Sequence, residues 1–527
     1  MAVNELLLEI LGAKFTITVE EDEAYLKEVF SQYCTAVGNT QDISGIKDPL
    51  NAAILTGFLL CDEINKMRRR TQEAMTRMEG EGQEAEERTN KLIAKLDHIL
   101  KQPAAAASPP VCFKLHNQIK HYEWGAVDLI PAFLGLENRG GLPWAEMWMG
   151  GHPGAPSMIE KNGNMVNLNG LIAENPEYYL GKTGLEKYGE LPFLFKLLAA
   201  DKPLSIQTHP NMAQAREGFE RENKAGLSPD DPKRNYKDPN HKPEIICAIE
   251  PITLMCGFRQ PAGIYSFFES FLLEIPANEA LKDAFSPLLK ALRHDNGGPA
   301  HGVFAQEALK KFFCALFDLT ETQKKDICGF ILETCRAKNV FDKTISQEQW
   351  GIMSRFAALY PGDISVLSPL YLNLFTLQPG QALFVDAGIP HAYLSGFGVE
   401  LMANSDNVLR GGLTHKHADI PELINVLDFR PYTPQILQEP SLYTFFRYYA
   451  PCEEFSLSLV CGAGGREAPV SDFAGEGPAI CIVTDGELVI SGDSFKKGEA
   501  VFIPAGAKDK VSFTGDYRLY MAAFGGA

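Results

Sequence analysis

The chain has 527 residues, 45% of them hydrophobic and 22% charged, and carries a formal net charge of −18. Length and composition fit a globular protein of roughly three to four structural units able to bury real cores. The acidic balance argues against a binder of nucleic acid or anionic membrane, yet a small anionic substrate needs only a local cluster of Lys and Arg.

The N-terminal residues Met1-Ala2-Val3-Asn4-Glu5 lack the basic region and cleavage pattern of a secretory signal, and no apolar run reaches bilayer length. Eleven cysteines form no C-x-x-C pair, which fits reduced thiols and a cytoplasmic location. Two β-prone runs around Gly12, within residues 6–19, predict a hairpin. Residues 21–35 follow as an amphipathic helix with Tyr25, Val29 and Phe30 on its apolar stripe. From Pro49 a second helical pattern runs on. Leu60, Ile64, Met67, Ala74, Met78, Ala85, Leu92 and Ile99 occupy the two apolar heptad positions, although Glu81 and Arg88 also fall on that seam and Gly80 and Gly82 weaken the helix. A helix this long without packing is marginal, so the pattern predicts a coiled coil and a homo-oligomer. Leu11-Gly12-Ala13-Lys14-Phe15-Thr16-Ile17 and Asp48-Pro49-Leu50-Asn51-Ala52-Ala53-Ile54-Leu55 make residues 1–101 resemble the ZapA family of cell-division proteins. That resemblance implies an oligomeric coiled coil whose partner is a tubulin-like division-ring protein.

Residues 102–110, a Pro- and Ala-rich run, form the expected linker. Beyond it residues 111–259 are rich in strand and turn signals, 260–360 read as helices, and strand patterns return after Pro361. An internal repeat aligns Gly380-Gln-Ala-Leu-Phe-Val-Asp386-Ala-Gly388-Ile-Pro390-His391 with Gly498-Glu-Ala-Val-Phe-Ile-Pro504-Ala-Gly506-Ala-Lys508-Asp509. Each copy is a turn glycine, a short apolar strand and a second turn, as in the second motif of the cupins, which are jelly-roll barrels. The expected fold is therefore mainly β with an α insert, preceded by an α+β head with a long coiled-coil helix. A catalytic cupin barrel takes residues 111–259 and 361–430, the helical insert 260–360, and a second barrel 431–527. The second barrel is expected to be metal-free, since Asp509 stands where the first copy has His391.

Chemistry concentrates in the first barrel. Gln207 and His209 alternate on one face of a short strand, and Pro243 biases Lys242 to an extended backbone, so Lys242 and Glu244 share a face as well. With His391 these supply two imidazoles, one carboxylate and one amide oxygen, a mixed nitrogen and oxygen set that suits zinc. The set stands among Tyr122-Glu123-Trp124-Gly125, Ala145-Glu146-Met147-Trp148-Met149-Gly150-Gly151-His152-Pro153, Leu191-Pro192-Phe193-Leu194-Phe195-Lys196, Gly388-Ile389-Pro390-His391-Ala392-Tyr393 and Ser405-Asp406-Asn407-Val408-Leu409-Arg410-Gly411-Gly412-Leu413-Thr414. Over about 112–420 the chain resembles the type I phosphomannose isomerases.

The resemblance implies one Zn2+ on Gln207, His209, Glu244 and His391, and interconversion of mannose 6-phosphate and fructose 6-phosphate through an enediol-like intermediate. Charge builds on the oxygens of that intermediate, and Arg410, a permanent cation, is the electrostatic candidate. Proton-transfer candidates are Glu400, His241, Lys242 and Asp406, with Asp406 also placed to orient Arg410 by an ion pair. Lys416, Lys202 and Ser205 are candidates for the phosphate. Trp124, Trp144 and Trp148 read as core, His152 as structural, and His415 and His417 as surface residues. Two other readings compete. One is a division-associated scaffold whose cupin module only senses a sugar phosphate. The other is a bifunctional nucleotide-sugar enzyme, against which counts the lack of a Gly-rich nucleotidyltransferase loop.

Overall fold

The computed structural model describes residues 4–10, 13–19, 23–46, 48, 50–67, 110–275, 279–293, 300–337, 343–439 and 444–525. It divides into two compact units, Met1–Ser108 and Pro109–Ala527. In the first, Asn4–Ile10 and Ala13–Val19 pair as an antiparallel hairpin with Leu7 opposite Thr16. Helix Glu23–Ser44 follows, and residues 50–67 are helical. These two helices meet at buried Val37, Ala52 and Thr56, and the Tyr33 hydroxyl donates to the Ala53 carbonyl at 2.9 Å. Of the heptad seam, Leu60, Ile64 and Met67 are exposed on the single chain. The positions from Ala74 to Ile99 that would extend it as a coiled coil lie outside the described residues, as does most of the 102–110 linker.

In the second unit one antiparallel sheet is centred on the long strand His391–Ala403. Its neighbour Phe193–Ala200 reads FLFKLLAA and is buried throughout, because both faces of the sheet are covered. The central strand changes partners along its length. Its first half pairs with Ile252–Phe258 and, at His391, with Gln207; its second half pairs with Phe193–Ala200 and Glu244–Ala248. Gly396 makes the change possible: its φ is +120°, and a Cβ there would lie 2.2 Å from the Pro251 carbonyl oxygen. One bent strand thus links the three ligand-bearing segments, carrying His391 beside Gln207 at its start and pairing Glu244 with Met402 near its finish.

Between Ile252–Phe258 and Leu372–Leu377 the chain builds the helices Pro261–Glu274, Glu279–Ala291, Ala305–Phe317, Glu321–Ala337 and Gln347–Leu359. Proline opens the first, where no intrahelical donor is lost, and Ser346 with Gln349 forms a capping box on the last. Their core is aromatic, with Phe271 stacked on Trp350 at 5.5 Å between ring centres. The exit from this insert, residues 360–371, returns beside the first sheet, where Ser365 donates to the Gly411 carbonyl.

A second sheet takes the C-terminal strands, including Ala479–Ile490, Ala500–Ile503 and Ser512–Ala523. Both repeat glycines keep their turn role, Gly380 with φ +83° and Gly498 with φ +87°. Two strands depart from the expected division. Phe113–Leu115 pairs with Ala500–Phe502 of the second sheet, and Ile436–Gln438 pairs with Gln381–Leu383 of the first. One edge of each sheet is thus completed by a segment from across the boundary.

Candidate metal centre and adjoining cavity

Three short turns deliver the candidate ligands. Gln207–Thr208 ends at His209-Pro210, Glu244 opens its strand directly after Pro243, and His391 opens the central strand after Gly388-Ile389-Pro390. The Gly388 N–H donates to the His209 carbonyl at 2.9 Å, tying two of these turns together. His209 Nε2 lies 3.3 Å from Glu244 Oε1, and His391 Nε2 lies 3.2 Å from Glu244 Oε2. All three side chains are essentially sealed from solvent, at 1%, 1% and 0% exposure.

The hydrogen bonds behind the imidazoles fix what they present. His209 Nδ1 is 2.7 Å from the Asn407 carbonyl and His391 Nδ1 is 2.9 Å from the Ile389 carbonyl. A carbonyl only accepts, so each Nδ1 carries the proton and each Nε2 turns a lone pair toward Glu244. Both Nε2 atoms and Glu244 Oε2 are buried without a hydrogen-bond partner. Three electron-rich atoms converging in a dry pocket are costly unless a cation sits between them, and the donor set matches zinc. Burial, reinforced by Lys242, lowers the His209 pKa to about 4, which keeps the ring neutral and able to ligate. Burial alone would raise the Glu244 carboxyl, but the Lys242 ammonium beside it pulls it well below its ordinary value. The Lys242 ammonium stands 2.9 Å from Glu244 Oε1, as their shared face predicts. Gln207 lies opposite His391 in strand register, half-buried.

Gln207 and Lys242 also line a cavity of about 620 Å³, so the metal pocket adjoins it. Lys202, Ser205, Arg410 and Lys416 stand on its walls. Arg410 and Lys416 have no anionic partner among the described residues; burial lowers both pKa values, and Arg410 adds to the effect on Lys416. Such mutual repulsion is what an absent dianion would relieve.

Asp406 faces the same cavity, but its partner is His152 (Nε2 to Oδ1, 3.6 Å) and not Arg410 as the four-residue spacing suggested. His152 Nδ1 accepts the Gly154 N–H at 3.1 Å, so its proton sits on Nε2, facing Asp406. This contact, above all, holds the Asp406 pKa down to about 2. Two of the proton-transfer candidates lie elsewhere. His241 pairs with Glu454 at 2.9 Å and does not line the cavity. Glu400 is buried behind the wall, 2.8 Å from Lys196 Nζ.

Lys196 is the functional residue that sequence reasoning passed over. It lines the cavity while fully buried between Glu400 and Glu146, the latter at 3.5 Å. Burial works against its charge, but the two carboxylates outweigh it and raise the pKa. Burial in turn raises Glu400, only partly offset by Lys196. The Trp148 indole donates to Glu146 at 2.6 Å; it and Trp124 pack against hydrophobic core, as expected, and also line the cavity. The only sequence signal for Lys196 was a lone cation in an otherwise apolar strand. Leu359 and Tyr360, at the end of the helical insert, and His415, its ring 5.2 Å from Tyr360, complete the wall.

Comparison with known proteins agrees with this geometry. Residues 112–261 match the family model for the phosphomannose isomerase type I catalytic domain, and residues 7–96 match that for the cell division protein ZapA. Mannose-6-phosphate isomerase of Escherichia coli is 34% identical over 418 residues, covering 77% of this chain and 98% of that protein. Mannose-6-phosphate isomerase 1 of Arabidopsis thaliana is 31% identical over 428 residues, covering 78% and 93%. A crystal structure of zinc-bound mannose 6-phosphate isomerase superposes with a TM-score of 0.68 at 33% identity, covering 79% of this chain and all of that one.

Proposed function

Since the chain belongs to the mannose-6-phosphate isomerase family, we propose that Pro109–Ala527 interconverts mannose 6-phosphate and fructose 6-phosphate with a single zinc. The observation that carries the reading is the trio of buried, unpartnered ligand atoms on His209, Glu244 and His391 beside a cavity with unneutralised cations. His209, Glu244 and His391, with the Gln207 amide, would hold the metal, which as a Lewis acid polarises a substrate oxygen.

The remaining chemistry belongs to the protein's own side chains. Arg410, Lys416 and Lys202, with the Ser205 hydroxyl, bind the phosphate and the anionic end of the sugar. Lys196 and Lys242 present ammonium groups to oxygens that gain charge as the enediol-like intermediate forms. Glu400 and Glu146 keep Lys196 charged. Asp406 is the cavity carboxylate placed to take a carbon-bound proton and return it to the neighbouring carbon. A carboxylate held near pKa 2 is a poor base in water, so enclosing the substrate must desolvate Asp406 to strengthen it. Only the first of two jelly-roll barrels is catalytic in this proposal. In the second, Asp509 is exposed and no metal-ligand cluster forms among the described residues.

For the ZapA-like module we propose self-association through the helix that begins at residue 50, whose exposed Ile54, Phe58, Ile64 and Met67 favour a partner helix. A tubulin-like ring protein as a further partner is tested by a pull-down with full-length protein.

A coupled assay with and without chelator tests the isomerase. Turnover should vanish on metal removal and return with zinc. His391→Ala should lose zinc stoichiometrically along with activity. Full zinc occupancy in that variant, or no turnover in metal-loaded wild type, would overturn the proposal.

A further inference from the structure

The cations on the cavity wall sit on a turn that does not hold its shape alone. Arg410 ends a two-residue strand paired to Gln207–Thr208, and Gly411, Gly412, Leu413 and Thr414 carry the chain to Lys416. Leu413 has φ +54°, a left-handed conformation uncommon for a non-glycine residue and costly for a branched side chain, yet Leu413 is buried. Gly412 has φ +121°, and a Cβ there would lie 1.7 Å from Ser365 Oγ, so the turn is pressed against another segment.

That segment is the exit from the helical insert. Asp363 Oδ2 accepts the Leu413 N–H at 2.7 Å, while Asp363 Oδ1 accepts the Ser365 N–H at 2.9 Å and so caps the short 3-10 turn Ile364–Leu367. Ser365, fully buried, donates its hydroxyl to the Gly411 carbonyl at 2.8 Å. Gly411 and Leu413, on either side of Gly412, are thereby fastened by two residues that do not line the cavity.

We propose that Asp363, aided by Ser365, is a positioning residue that locks the Arg410–Lys416 turn in its anion-binding shape. The helical insert then has a function beyond covering the sheet: it sets the affinity of the site for the phosphate of its substrate. This rests on the isomerase reading of the cavity, and the test separates the two.

Asp363→Asn in the full-length protein is the informative variant. Asn caps as well as Asp, so the Ser365 bond survives, but an amide nitrogen must then face the Leu413 N–H. Inorganic phosphate affinity by calorimetry, KM, kcat, zinc content and melting temperature are measured on wild type, D363N and Ser365→Ala. D363N should weaken phosphate binding and raise KM for mannose 6-phosphate together by about tenfold, with kcat within about threefold and zinc unchanged. S365A should move the same two quantities by about threefold. Unchanged phosphate affinity in both variants, or a fall in kcat with KM fixed, overturns the proposal. Should D363N fail to fold, S365A alone decides. Wild type that binds phosphate but does not turn over the sugar would sink only the isomerase reading.

Discussion

Replacing Lys196 by Met tests the charge balance beneath the cavity. The three side chains involved are almost fully buried, at 7% exposure for Lys196, 8% for Glu146 and 4% for Glu400. Met fills a similar volume, so the main loss is the ammonium, which leaves two carboxylates facing each other in a low-dielectric site. Removing one partner of a buried pair costs about 3–5 kcal/mol. A unit the size of Pro109–Ala527 loses roughly 1 °C of Tm per kcal/mol, so a drop of about 3–5 °C is expected at pH 8. The pH dependence follows from Glu400, whose pKa is already raised by burial and loses in the variant the cation that restrains it. A carboxyl raised in the folded state stabilises most below its unfolded pKa, and that contribution is lost as pH rises through the folded value. The gap between variant and wild type should therefore be large at pH 8 and shrink toward pH 5. Thermal unfolding across that range is the assay. A gap that does not change with pH, or no gap at pH 8, would refute the account of Lys196 as the counter-ion of two buried carboxylates.

His152→Phe keeps the aromatic contact with Trp148, now at 4.8 Å between rings, but removes the donor to Asp406. A carboxyl held down by a partner keeps that benefit above its unfolded pKa and loses it as pH falls through the folded one. Without His152 the Asp406 carboxyl should move up from about 2 toward the ordinary carboxylate value near 4, read from its carboxyl carbon shift by NMR, and His152→Gln, which restores a donor, should bring it back. Deleting residues 1–108 should leave kcat and KM within about twofold, since the Escherichia coli isomerase is matched over 98% of its length within 77% of this chain, while light scattering should show a smaller assembly.

The metal trio was legible because each ligand sits beside a proline or glycine that fixes its local backbone, so face and spacing could be argued from residues alone. Lys242 and Glu244 share a face for that reason. The rest of the site depends on contacts between distant segments. Asp406 lies in an irregular stretch before a two-residue strand, so four-residue spacing gave it no helical neighbour in Arg410, and His152 reached it from the turn that follows the strand Glu146–Gly150. His241 was read as a proton carrier because it flanks a ligand, yet it stands before the strand begins at Glu244 and turns away, toward Glu454. Lys196 sits in a strand buried on both faces, where no periodicity separates a functional cation from the hydrophobic run around it. The strand exchange between sheets had no local signature either, since β pairing is written in both partners.

The pairing of Phe113–Leu115 with Ala500–Phe502 also orders events at the ribosome. The first strand to emerge after residue 110 has no ladder to join until nearly the whole polypeptide has been synthesised. Its apolar side chains Phe113 and Leu115, buried in the finished molecule, lack the cover of that ladder meanwhile. Non-local closure of this kind slows folding and lengthens exposure to aggregation. Chains interrupted before residue 500 are therefore predisposed to clump, and chaperones should find their natural substrate in the nascent form.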